Sequence, residues 1–235
     1  MWELVEATPS AHGMLELYTH GHKEYLIRFD GIELMNSLLH ASEDVLGEMA
    51  AAFCRTAQPR ILIGGLGLGF TLKACVQALQ HSKRCADLSV AELTAQIIDW
   101  YGRYFQKMQG LAPDCAQLIG GDVYQVIEAG GLYDMICLDI DNGPSYLASA
   151  HNSRMYDESG LDFLRRHLQP QGAALIWSAQ TEAALATAAQ SAALLCYERE
   201  VAMPLNGRIF SHYIYLLCST APETELLQKY QLRLM

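Results

Sequence analysis

The stretch "PRILIGGLGLGFTLKACVQAL", residues 59 to 79, sets the strongest limit on this chain: an apolar run enters a loop of four glycines, and a helical pattern leaves it. Gly65, Gly67 and Gly69 lack a Cβ, so backbone there can approach a ligand closely, and the following helix turns its N-terminus toward an anionic group. In an open α/β sheet that position lies beyond the carboxyl ends of the strands, where ligands bind. The dinucleotide fingerprint GxGxxG fails, because Phe70 follows Gly69. Glu92 ends the next apolar run, 23 positions after Gly69, where a carboxylate can accept both hydroxyls of a ribose. Together they favour an adenosine-containing ligand without a pyrophosphate and disfavour a nicotinamide cofactor.

From residue 60 onward, short apolar runs alternate with helix-period stretches. The strands expected are Arg60 to Gly64, Leu88 to Glu92, Gln117 to Ile119, Met135 to Asp139 and Ala173 to Trp177, with helical patterns from Phe70, Thr94, Val123 and Ser153. Such alternation means a parallel sheet with helices on both faces. "CYEREVAMP" and "IFSHYIYLLCS", joined through Asn206-Gly207, add an antiparallel hairpin at the C-terminal edge. Before residue 60, turn signals at His20-Gly21 and Asp30-Gly31 separate alternating runs, and a helix is expected near Ser42 to Arg55. The division expected is a β-hairpin unit with its linking helix over residues 1–57, then an α/β domain over 58–235.

Composition excludes several partners. A net charge of -10 with 16 Lys plus Arg does not supply the basic face that nucleic acid requires. No apolar run approaches the roughly 20 residues that span a bilayer, and the acidic start is unlike a signal peptide, so a cytoplasmic protein is expected. The seven cysteines form no CxxC pair and read as reduced core thiols. His12, His20, His22 and His40 read as surface histidines rather than a metal site.

Two further acidic positions complete a pattern. Asp122, in "IGGDVYQVI", either caps the following helix or reaches an adenine amino group, and one side chain can do both. Asp139, in "YDMICLDIDNGPSY", ends a strand at the ligand crevice, followed by Asp141 and Asn142.

These residues resemble the class I S-adenosylmethionine (SAM)-dependent methyltransferase fold, a Rossmann-like sheet, and within it the spermidine synthase (polyamine aminopropyltransferase) family. The resemblance runs through "FDGIEL", "ILIGGLGLG", "VAEL", "GDVYQVI", "YDMICLDIDNGP" and "LRRHLQPQGAALIWSA". It implies that Gly65, Gly67 and Gly69 line the methionine-derived tail, Glu92 binds ribose, Asp122 binds adenine, and Asp139 faces the reacting amine. It also implies a homodimer paired through the N-terminal hairpins.

The chain departs from the family at diagnostic places. The family's loop reads GGGDGG, and its aspartate falls on Gly67; its DSSDP becomes Asp139-Ile140-Asp141-Asn142-Gly143; and the segment resembling DExxYHE reads Ser42-Glu43-Asp44-Val45-Leu46-Gly47-Glu48. An aspartate in the loop would repel the carboxylate of SAM, so Gly67 favours SAM over decarboxylated SAM. The expectation is a transferase, acting as a SAM-dependent methyltransferase, that alkylates a small-molecule acceptor such as an amine at the sulfonium of SAM, with Asp139 and Asp141 catalytic. Asn142, Tyr146 and Tyr156 are candidates for the acceptor pocket, Trp177 reads as core, and Arg154 as either a partner for an acceptor carboxylate or a solvated side chain. The alternatives are a true aminopropyltransferase using decarboxylated SAM and a non-catalytic nucleoside-binding protein.

Overall fold

The computed structural model describes residues 1–10, 13–140, 143–145, 150–205 and 208–235. The first sheet has four antiparallel strands in sequence order: β1 (Glu3–Ser10), β2 (Gly13–His20), β3 (Glu24–Phe29) and β4 (Ile32–Asn36). Its tight turns fall where the turn signals are, with Gly21 at φ 63° and Asp30 and Gly31 at φ 48° and 78°. β1 was not expected: "ELVEATPS" has no sustained alternation and contains Pro9, and pairing with β2 holds it as a strand.

The chain continues through α1 (Ala41–Ala52), β5 (Arg60–Gly64), α2 (Phe70–His81), β6 (Asp87–Glu92) and α3 (Ala95–Trp100). A π-helical turn over Tyr101–Phe105 leads into α4 (Gln106–Gln109), β7 (Gln117–Gly120), α5 (Val123–Gly130) and β8 (Tyr133–Leu138). A 3-10 helix over Ala150–Met155 precedes α6 (Glu158–Arg166), β9 (Leu168–Ser178), α7 (Ala183–Ser191), β10 (Leu195–Leu205), β11 (Arg208–Cys218), α8 (Thr224–Lys229) and β12 (Arg233–Leu234). The helical pattern expected from Ser153 is thus broken, because Asp157 caps a new helix by accepting the Gly160 N–H. The turn residues Asn206 and Gly207 lie outside the described residues.

The second sheet has the order β12-β10-β11-β9-β8-β5-β6-β7. β9, β8, β5, β6 and β7 run parallel, and β11, β10 and β12 each join antiparallel, which is the expected α/β sheet closed by a hairpin. Alternate residues of β5 face opposite sides: Ile61 and Ile63 enter the layer with Leu72 and Trp100, whereas Leu62 enters the layer with Ile136 and Leu161. Each such fully buried aliphatic side chain contributes about 1.5–3 kcal/mol, so the sheet is held from both faces.

Chain order reverses between β5 and β8. β6 and β7 lie on one side of β5, and β8 and β9 on the other, which opens a crevice at the C-terminal ends of β5 and β8. Two side chains tie another element beside that crevice, and a third secures the far end of α1. Arg103 and Gln96 reach Glu6 of β1 at 2.8 and 3.1 Å, fixing the first sheet against the helical segment after β6. Arg84 donates to Ala51 O and Cys54 O, satisfying carbonyls at the end of α1. All seven cysteines are free, five of them buried, while Cys85 is exposed and Cys115 half-buried. His20 pairs with Glu24 and His40 with Asp44. No helix among the described residues is long and apolar enough to cross a membrane.

Candidate functional site

The crevice is the mouth of a cavity of about 980 Å³, large enough for a nucleoside with an extended tail. Its floor is the loop after β5. Gly65 has φ 90° and lies so close to β8 that a Cβ there would sit 2.0 Å from Asp139 O. Gly69, at φ 84°, caps α2, and its Cβ would meet the Tyr101 ring at 2.4 Å. Both positions combine a left-handed backbone with a close approach, which only glycine satisfies.

Gly67 (φ 49°) differs. A Cβ there would meet the Sδ of Met35 at 2.7 Å, so β4 of the first sheet reaches over the loop and fills the space that a side chain at 67 would take. Nothing in the sequence signals that contact.

Glu92, at the end of β6, is only 8% exposed. Its Oε2 accepts the Leu66 N–H and its Oε1 the Thr94 N–H, both at 2.9 Å. Burial raises its pKa above the usual carboxylate range, and these backbone donors oppose that rise. Glu92 therefore clamps the glycine loop to the start of α3 while facing the cavity.

Asp122 lines the same cavity, caps α5 through the Tyr124 N–H at 2.8 Å and pairs with Arg154. The helix-capping reading of Asp122 is correct, and Arg154, partly exposed, pairs with Asp122 through one guanidinium nitrogen. Its guanidinium also lies 4.2 Å above the Tyr124 ring.

Asp139 follows β8 and accepts the Thr71 hydroxyl of α2 at 2.8 Å. Facing it is a carboxylate that the sequence reading passed over, Glu43 of α1. The two come together because α1 packs tightly on α2: a Cβ at Gly47 would stand 2.3 Å from Thr71 O. The histidine of the family pattern at this position has no room here. Burial raises both pKa values; the charge of Asp139 raises Glu43 further, and Glu92 adds to the rise at Asp139. Among the described residues neither carboxylate has an ion-pair partner.

Other expectations fare differently. Asp141, Asn142 and Tyr146 lie outside the described residues. Tyr156 does not reach the cavity; it is buried in the apolar layer with Met155 and Leu161, where the cap at Asp157 turns the chain. Trp177 is core, 8% exposed, and also forms part of the cavity wall. Thr8, Pro9 and Ser10 of the unexpected β1 contribute to that wall as well.

No protein-family model matches the chain, and no curated protein matches it in sequence. Solved structures do. One is a spermidine synthase in complex with the transition-state analogue AdoDATO, at 13% identity and a TM-score of 0.69 over 99% of this chain and 79% of that one. Another is a spermidine synthase from Thermotoga maritima, at 15% identity and a TM-score of 0.69 over 99% of this chain and 80% of that one. At these identities the likeness is one of fold: both the N-terminal antiparallel sheet and the larger, mostly parallel sheet fall within it.

Proposed function

We propose that the chain is a spermidine-synthase-like transferase that moves an aminopropyl-type group from a decarboxylated SAM onto a small amine. The observation that carries this reading is the charge of the cavity wall. Glu43, Glu92, Asp122 and Asp139 line it, and no Lys, Arg or His does among the described residues. Two unit charges about 4 Å apart interact by roughly 4 kcal/mol at an effective dielectric of about 20. A donor whose tail ends in an ammonium gains from that wall, whereas the carboxylate of SAM meets repulsion and no cationic side chain. Fold likeness to spermidine synthases, one of them holding AdoDATO, supports the same choice.

In this reading Glu92 holds the ribose, Asp122 lies beside the adenine, and the glycine loop follows the tail. The amine attacks the carbon next to the sulfonium, in line with the breaking C–S bond, and most of the acceleration comes from holding the two reactants in that alignment. Asp139 holds the amine as a fixed counter-charge, with Thr71 orienting the carboxylate.

The second reading, a methyltransferase using SAM, is favoured by Gly67 and by the free N–H groups at the start of α2, which suit a carboxylate. Calorimetric titration separates them. Decarboxylated SAM is expected to bind at least about tenfold more tightly than SAM, a difference of about 1.4 kcal/mol. Equal affinity, or a preference for SAM, would favour the methyltransferase.

We also infer that two copies pair through the first sheet. β1 and β4 are its edges, and Leu4, Val5, Met14 and Ile32 are exposed on or beside them. Light scattering is expected to give twice the 26.1 kDa chain mass at micromolar concentration, and a monomer would count against the pairing.

A further inference from the structure

One hydrogen-bond chain leads away from the cavity through groups that the reading above does not use. Ser42 is fully buried at the start of α1, and its hydroxyl donates to Glu43 Oε2 at 2.5 Å. The same hydroxyl oxygen lies 2.8 Å from Nδ1 of His212 on β11. Because the hydroxyl has one proton and gives it to Glu43, Nδ1 of His212 carries the proton of the second bond, which assigns the tautomer. The His212 ring is in turn held edge-on to Trp177, with centroids 4.7 Å apart and planes at 77°. An exposed helix-start glutamate would need none of this. Here three elements, α1, β11 and β9, converge to hold one carboxylate at the cavity wall.

We propose that Glu43 is the base of this site, taking the proton of the attacking amine, and that Ser42 and His212 are positioning residues that fix its carboxylate. This rests on the amine-alkylation reading above. In the step, the nitrogen lone pair forms the N–C bond, the C–S electron pair stays on sulfur as a neutral thioether, and the proton leaves nitrogen for the Glu43 carboxylate. Asp139 accepts from the Thr71 hydroxyl, as Glu43 accepts from Ser42, and its role is to hold the cation.

The charged and titratable groups around Glu43 suit this division. Asp139 faces it from the end of β8 and in turn feels the charge of Glu92 of β6; His40, just before α1, is paired with Asp44 and feels the charge of Lys73 of α2. The two facing carboxylates repel when both are charged. Their first proton is therefore held tightly by the pair.

The test uses the full chain with decarboxylated SAM and 1,4-diaminobutane. Glu43→Gln is expected to lower kcat by about 10²-fold at pH 7, with little change in nucleoside affinity, and the deficit should shrink as pH approaches the amine's own pKa near 10. Ser42→Ala and His212→Phe should each lower kcat by about tenfold, shift the acid limb of the pH–rate profile, and cost nothing further in a Glu43→Gln background. A Glu43→Gln deficit that is independent of pH, or additive losses at Ser42 and His212, would overturn the proposal. Absence of turnover by the unmodified chain would instead sink the amine-alkylation reading. A second readout needs no substrate: the ¹³C carboxyl resonance that Glu43→Gln removes should titrate above the usual glutamate range and move in Ser42→Ala and in His212→Phe. An ordinary titration that ignores both substitutions would overturn the assignment of Ser42 and His212.

Discussion

Glu92→Ala is expected to destabilise the empty protein by about 2–6 kcal/mol, since the buried Leu66 N–H and the half-buried Thr94 N–H would each lose their acceptor, at about 1–3 kcal/mol per donor. Glu92→Gln should recover part of that stability, because its amide oxygen still accepts from one of the two donors. Its amide nitrogen, however, turns a donor toward the other. Both variants should lose nucleoside affinity as well, by about 1.5–3 kcal/mol, or roughly 10- to 150-fold in Kd, when the charge-assisted bonds to the ribose are removed. Urea unfolding without ligand measures the first effect, and titration of Glu92→Gln with methylthioadenosine, a neutral nucleoside, measures the second. A Glu92→Gln protein that binds this nucleoside normally would leave Glu92 as a clamp for the loop and nothing more.

That double duty explains what the sequence could and could not disclose. Glu92 was legible because its position depends on local order: a strand, a loop and a helix follow one another, and the carboxylate stands at the end of the second strand. Likewise β5 was bounded correctly at Arg60 and Gly64, where a proline precedes and the glycine loop follows an apolar run. Glu43 was not legible, since in sequence it is one acidic residue in the first turn of an exposed-looking helix. Its position at the cavity depends on the contact between α1 and α2 at Gly47, a long-range packing event that leaves only a glycine as its trace. Met35 over Gly67 is the same kind of case. The sequence shows the missing aspartate at position 67, but not that the tip of Met35 lies over that glycine or that Glu43 lines the same cavity. Tyr156 failed for a related reason: closeness to Asp139 in sequence does not survive the 3-10 helix and the cap at Asp157, which turn the tyrosine into the core.

Asp139→Asn separates counter-charge from fold. Asparagine is nearly isosteric and its amide oxygen can still accept the Thr71 hydroxyl, so the loop and α2 should keep their places. Methylthioadenosine, which carries no cationic tail, should bind within a few-fold of normal, because the glycine loop and Glu92 hold it. The amine loses its fixed partner. Removing one member of a buried charge pair costs about 2–5 kcal/mol, so kcat/KM for 1,4-diaminobutane should fall by about 10²-fold or more. The empty protein should respond in the opposite direction. Asp139 has a raised pKa in the folded state, so the wild-type chain binds that proton more tightly folded than unfolded and loses stability as pH rises through the interval between the two values. Asparagine carries no such penalty and relieves the repulsion with Glu43. The variant should therefore match the wild type only below the ordinary aspartate value of 3.8, gain on it through the interval up to about 6, and keep the full advantage above that, which thermal unfolding at about pH 3.5 and pH 8 compares. An Asp139→Asn protein with normal turnover would reduce Asp139 to a turn residue and shift the search for the counter-charge to Asp141.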